Sequence, residues 1–208
     1  MAEPWLERWQ EGRIGWHEPA GNRNLQEHWA ATSRHVLVPL CGKTPDLLWL
    51  EEQGNAVVGV ELSAVAARDF FLDNQLAFSI DDAQAATRYV AVDRKISIVC
   101  GDYFEFSDAP FDAIYDRAAL IALPRDQRPA YAAHTRSLLT ANAYQMLVSL
   151  EYDQSLVKGP PYAVFADEVR TYWPQLQRVG ETEDIQNAPP KFRQAGVKRM
   201  REIVWVSG

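Results

Sequence analysis

The stretch from His35 to Glu61 limits what this chain can fold into more than any other. Val36 to Leu40 is a short apolar run bounded by polar residues, the pattern of a strand buried on both faces. Gly42 permits a tight turn after it. Thr44 can then cap a helix, Pro45 suits its first position, and Asp46 sits where the helix dipole favours negative charge. Leu47, Leu48 and Leu50 provide the apolar stripe, and Gly54 ends the helix. Ala56 to Val60 reads as a second buried strand with Glu61 at its carboxyl end. A strand, glycine turn, helix, strand and acid in this order predict a parallel crossover of an α/β sheet.

Ligands of such sheets bind beyond the carboxyl ends of the strands, where Gly42 lies, and an acid at the position of Glu61 accepts hydrogen bonds from ribose hydroxyls. The turn has one glycine rather than the three of a dinucleotide fingerprint, and it lacks the spacing of a phosphate-binding lysine loop. It therefore suits a nucleoside without phosphates, such as S-adenosylmethionine, better than a dinucleotide. The plain alternative at this point is a packed crossover with no ligand.

The rest of the chain fits one domain over residues 1–208, with 1–33 as an N-terminal lid or cap. With 21 basic against 28 acidic residues the formal charge is −7, which argues against a nucleic-acid partner. Two cysteines, Cys41 and Cys100, build no disulfide framework and suit a reducing, cytoplasmic setting. The start resembles no signal peptide, and no apolar run approaches the roughly 20 residues that span a bilayer, so no membrane partner is expected. His17, His28, His35 and His134 have no spacing that suggests a zinc site, and no metal is expected.

Further along, Trp5 and Trp9 share one face if residues 4–16 are helical, with Trp16 following Gly12 and Gly15. They either dock the terminus on the core or form a lid over an adenine or a sulfonium. Residues 20–34 read as a linker with a helix around Leu25 to Ala31, and Ser63 caps a helix through Phe71. The segment 73–88 is polar without clear period and reads as surface structure. Tyr89–Val92 and Ile96–Cys100 flank a turn at Asp93-Arg94-Lys95, as in a hairpin. Asp102, just past a buried strand, either caps its turn or meets an adenine amino group. Phe111–Tyr115 is a strand ending in Asp116 and Arg117 at the same rim. Arg117 either pairs with Asp116 or a neighbour, or offers a fixed fork to an anionic acceptor. A helix over 127–139, strands at Tyr144–Leu150, Gln177–Thr182 and Arg199–Val206, and a short helix Phe165–Trp173 complete the pattern. The last strand alternates, with Met200, Glu202, Val204 and Val206 opposite Arg201, Ile203 and Trp205. Cys41 reads as a packed thiol rather than a nucleophile.

Several of these segments resemble one family. Val36 to Lys43, Leu48-Trp49-Leu50, Gly54, Val57 to Ser63, Phe70-Phe71, Trp5 with Trp9, Phe111 to Arg117, Tyr131-Ala132 and Gly159-Pro160-Pro161 look like the thiopurine S-methyltransferases, with a short N-terminus like that of the bacterial branch. The resemblance implies a class I methyltransferase: a doubly wound, mostly parallel, seven-stranded sheet with helices on both faces and an N-terminal helical lid. It implies S-adenosylmethionine as cofactor, with S-adenosylhomocysteine as product, and a small-molecule thiol as substrate, acted on by a monomer. Carried over, Trp9, Leu40, Gly42, Glu61, Asp102, Tyr103 and Arg117 would contact the cofactor. Trp16, Arg117 and either Lys191 or Arg193 would stand beside the acceptor. Asp116 is the one nearby candidate for a base. The implied reaction is in-line methyl transfer to aromatic or heterocyclic thiols, and selenium and tellurium species belong to the same chemistry. The alternatives are a halide or small-thiol methyltransferase and a nucleoside-binding module without catalysis.

Overall fold

The computed structural model describes residues 3–82 and 86–207. Its elements in chain order begin with α1 (Glu3–Gln10), α2 (Arg23–His28), β1 (His35–Pro39), α3 (Asp46–Glu52), β2 (Ala56–Glu61) and α4 (Ala64–Asp73). They continue with β3 (Phe78–Asp81), β4 (Thr87–Ala91), β5 (Ile96–Cys100), β6 (Phe111–Arg117), α5 (Arg128–Ser137) and β7 (Leu139–Tyr152). α6 (Ala166–Tyr172), β8 (Leu176–Glu183), α7 (Pro190–Gln194) and β9 (Met200–Ser207) follow. The strands form one sheet in the order β3-β4-β5-β2-β1-β6-β7-β9-β8. β5, β2, β1, β6 and β7 run parallel to their neighbours in this central block, so their carboxyl ends make one rim. β3, β4, β8 and β9 attach antiparallel on the two flanks.

The fold class agrees with the expectation, but the sheet has nine strands among the described residues rather than seven. The excess includes β3, which lies in the segment expected to be mere surface structure. Only Phe78 of its four residues is even half-buried, packed against Phe71 and Tyr89, so no alternation announced it. Part of that expected surface segment, residues 83–85, lies outside the described residues. The turn at Asp93-Arg94-Lys95 does join two antiparallel strands.

Alternation along the central strands feeds two cores. Val36, Val38, Val57, Tyr115 and Val148 face α3 and α4, whose Leu47, Leu50, Phe70 and Phe71 are fully buried. Leu37, Val58, Ile114 and Leu147 face the opposite layer with Tyr131 of α5 and Val169 of α6. β9 divides as its pattern predicts: Val204 and Val206 pack in the first core, Ile203 and Trp205 in the second. The helix after Gly42 starts one residue later than expected, at Asp46, with Thr44 Oγ1 accepting from the Asp46 amide at 3.3 Å. α2 ends at His28 rather than Ala31, and Ser63 caps α4 as expected. At the outer edge, β8 shifts register between Arg178 and Gly180, where the His28 ring covers the glycine. No helix among the described residues is long and apolar enough to cross a membrane.

Candidate active site

The rim is shaped by strained turns. β1 ends at Pro39, and Leu40 then takes φ 48°; β6 ends at Arg117, and Ala118 takes φ 71°. Non-glycine residues in this left-handed region cost free energy and concentrate where a site needs them. Gly42 has φ 56°, and a Cβ there would stand 3.0 Å from the Trp9 ring. Glycine is therefore required twice, by its backbone and by the indole against it. Trp9 is 7% exposed, and Trp16 meets it and Trp5 edge-on at 5.9 and 5.1 Å. Of the two readings of the aromatic N-terminus, the structure shows the docking one: Trp9 of α1 packs on the glycine turn.

Glu61 ties the first turn to the second. One carboxylate oxygen accepts from the Gly42 amide and the other from the Ser63 amide, each at 2.8 Å. Burial raises its pKa, opposed by the hydrogen bonds from Ser63, Gly42 and Leu62. Three backbone amides thus engage two oxygens that can accept twice each, and one acceptor position is left. Cys41 is turned inward, into the space left by Gly59, where an added Cβ would lie 2.6 Å from its sulfur. Burial, then Glu61, push its thiol well above the usual range, so it stays protonated.

Arg117 does not pair with its neighbour Asp116. Adjacent strand residues face opposite sides, and Arg117 turns into a cleft of about 430 Å³, mouth included, lined by Trp9, Trp16, His17, Leu40 and Tyr115 among others. Its guanidinium donates to the Trp16 carbonyl at 3.3 Å and to Glu18, with Glu202 Oε1 at 3.9 Å. Burial works against its charge, but Glu18 and Glu202 overcome this and raise its pKa. Glu202 is held by the side-chain amides of Asn24 at 2.7 Å and Asn22 at 3.3 Å. Asp46 accepts from the Asn22 amide at 2.8 Å and from the Tyr115 hydroxyl at 3.1 Å. One guanidinium therefore faces three carboxylates. His17 has its pKa lowered by burial and then by Lys43 and Arg117, which keeps it neutral near pH 7.

The other expected residues lie elsewhere. Asp116 faces α5, accepting from the Tyr131 hydroxyl at 2.8 Å and the Leu120 amide at 3.2 Å; the structure does not bring this candidate base to the cleft. Asp102 accepts from the Phe104 amide at 2.9 Å, the turn-capping role weighed for it, and its residue is exposed. Tyr103 is buried with its hydroxyl on Thr135. Lys191 donates to the Pro160 carbonyl at 2.8 Å, and Arg193 donates to the carbonyls of Ile185 and Gln186. Arg193 thus stitches its own loop, whereas Lys191 stands near enough to Arg8 of α1 for that charge to lower its pKa, after burial. Glu18, Asp46, Tyr115 and Glu202 are functional candidates that the sequence reading did not single out. Glu202 alone left a signal, as a charge within the otherwise apolar side of β9.

A family model for thiopurine S-methyltransferase matches residues 1–207. A thiopurine S-methyltransferase of Bordetella petrii is 40% identical, covering 98% of this chain and 96% of that protein. One from Pseudomonas fluorescens Pf-5 is 42% identical over 99% and 96%. Among solved structures, 1,6-didemethyltoxoflavin-N1-methyltransferase of Burkholderia thailandensis, with S-adenosylhomocysteine bound, superposes with a TM-score of 0.64 at 18% identity, covering 99% of this chain and 86% of that one. On that match over nearly its whole length and on these identities, the chain belongs to the thiopurine S-methyltransferase family.

Proposed function

We propose that the chain transfers a methyl group from S-adenosylmethionine to the sulfur of heterocyclic or aromatic thiols, thiopurines among them, and to selenium and tellurium species. The observation that supports this is a cleft in which Arg117 lies under Trp9 and Trp16 beside Gly42, whose amide Glu61 holds from the end of β2. The group fits: an acid stands at the end of β2, an indole covers the glycine turn, and the turn has no cradle of glycines for a phosphate. When bound, S-adenosylmethionine supplies an electrophilic methyl on a sulfonium. Glu61 would hold the ribose and Leu40 and Gly42 would border the cofactor.

Arg117 would orient an acceptor anion and favour its ionised form. Trp9 and Trp16 would exclude water, which suits a step in which opposite charges vanish. Holding the reactants at attack distance is the chain's main contribution, an effect that can supply roughly 7–11 kcal/mol. Glu61 reaches the cleft through the Gly42 amide it holds, whereas Asp102, Tyr103, Lys191 and Arg193 have no such link to its lining and belong to this reading only if ligand binding reorients them. Two free cysteines suit a cytoplasmic setting. The test is incubation with methyl-labelled S-adenosylmethionine against thiols, phenols, halide and selenite. Label on thiols supports the reading; label on halide alone, or none on any acceptor despite cofactor binding, refutes it.

A further inference from the structure

Arg117 faces three carboxylates while Lys43, the other cation lining the cleft, pairs with Asp73, and the three carboxylates are not held alike. Glu202 is gripped by two asparagine amides, and Asp46 by a backbone amide and a tyrosine hydroxyl. Among the described residues the Glu18 side chain has only Arg117 and the Asn22 side-chain amide, the latter at 3.2 Å. It also sits outside the sheet, on the segment between Trp16 and α2. The groups that face it are Arg117 from β6, Glu202 from β9, Asp46 from α3 and Asn22, with neutral His17 beside it. Burial raises its pKa; Arg117 and Asn22 lower it, while Glu202 and Asp46 raise it. Removing Arg117 as a partner would leave Glu18 half-buried among like charges, a setting that calls for a proton.

We infer that Glu18 is the catalytic proton acceptor for thiols that arrive protonated, exchanging its place on Arg117 for the acceptor's proton. The S–H bond breaks and its electron pair stays on sulfur, which takes over the guanidinium. The proton forms an O–H bond on Glu18 and leaves to solvent once the product departs. Net charge in the cleft is the same before and after, so a neutral thiol becomes a bound anion without adding charge to an already acidic site. Acceptors that are thiolates in solution gain nothing from this exchange and must displace Glu18 as a competing anion. The inference rests on the thiol-acceptor reading above.

The test compares the wild type with Glu18→Gln across substituted thiophenols and aliphatic thiols whose pKa values span the assay pH. Glu18→Gln should lose about 100-fold in kcat/KM for thiols ionising two units above that pH and little for those ionising below it, the scale of general-base assistance. A second readout needs no turnover: ultraviolet absorbance of a thiophenol bound to protein loaded with S-adenosylhomocysteine, below the thiol's pKa. The wild type should show the thiolate band and Glu18→Gln the neutral thiol. A uniform loss across the series, or the same bound spectrum in both proteins, would overturn the assignment and leave Glu18 as packing. If the wild type methylates no thiol at all, it is the proposed function that fails.

Discussion

Replacing Asp116 by asparagine separates a structural carboxylate from a catalytic one, and the effect can be worked out before the experiment. Asp116 is 4% exposed, and its pKa is pushed up to about 6 from 3.8, by burial first, against hydrogen bonds from Tyr131 and backbone amides. Below pH 3.8 both native and unfolded chains carry the proton, and the folded state bears no charge penalty there. As pH rises through about 6 the native chain must hold an ion that the unfolded chain holds in water, and stability is lost. Roughly two units at about 1.4 kcal/mol each make this close to 3 kcal/mol between pH 4 and 7. Asparagine cannot ionise, and its oxygen and amide can still meet the Leu120 amide and the Tyr131 hydroxyl. Urea unfolding of both proteins from pH 4 to 7.5 reports the difference, in which Glu18 and Glu61 cancel. Asp116→Asn should gain on the wild type by about 3 kcal/mol as pH rises, while kcat at pH 7 stays within a few-fold. Parallel stability curves would refute the burial argument, and a collapse of kcat with the fold intact would return Asp116 to the chemistry.

Three other perturbations probe the rim. Glu61→Ala orphans two buried amides and should weaken S-adenosylhomocysteine binding by about 1–3 kcal/mol in calorimetry; unchanged affinity would remove Glu61 from the site. Arg117→Ala should lower kcat/KM for thiolate acceptors about 100-fold while moving cofactor affinity less, as expected of a donor aimed at a reacting anion; equal losses in both measurements would make it a cofactor residue alone. Gly59→Ala sets a methyl 2.6 Å from the Cys41 sulfur and should cost about 1–3 kcal/mol in thermal unfolding. Adding Cys41→Ala should recover most of that loss; strictly additive effects would show that the two residues do not touch.

The fold was legible where burial imposes a pattern. Val36 to Leu40 and Ala56 to Val60 carry the continuous apolar runs of strands covered on both faces, and their pairing is parallel, as that pattern requires. β3 was not legible, because an edge strand with one half-buried residue leaves no period to read. At the rim, the positions fixed by chain geometry were readable: a glycine in the turn after β1, an acid at the end of β2 and an arginine at the end of β6. The partner of Arg117 was not. Glu18 and Glu202 reach it from sequence separations of 99 in one direction and from the far end of the chain in the other, and no local spacing encodes such a meeting. Asp116 lies away from the cleft for a simpler reason. At a strand end two adjacent residues reach the same rim in sequence, but the pleat sends them to opposite layers.

The outermost strand has a bearing on how copies of this molecule coexist at high concentration. β8 leaves one side of its backbone without a neighbouring strand, and such a side is a template for another chain. Its residues are mostly exposed and include Arg178, Glu181 and Glu183, paired with one another or with Arg199 and Arg201 of the adjoining segment. The offset at Gly180, plugged by the His28 ring, breaks the straight ladder a newcomer would need. A stranger's strand would have to strip these ions of water and match an irregular contour, so the border resists fibrous growth.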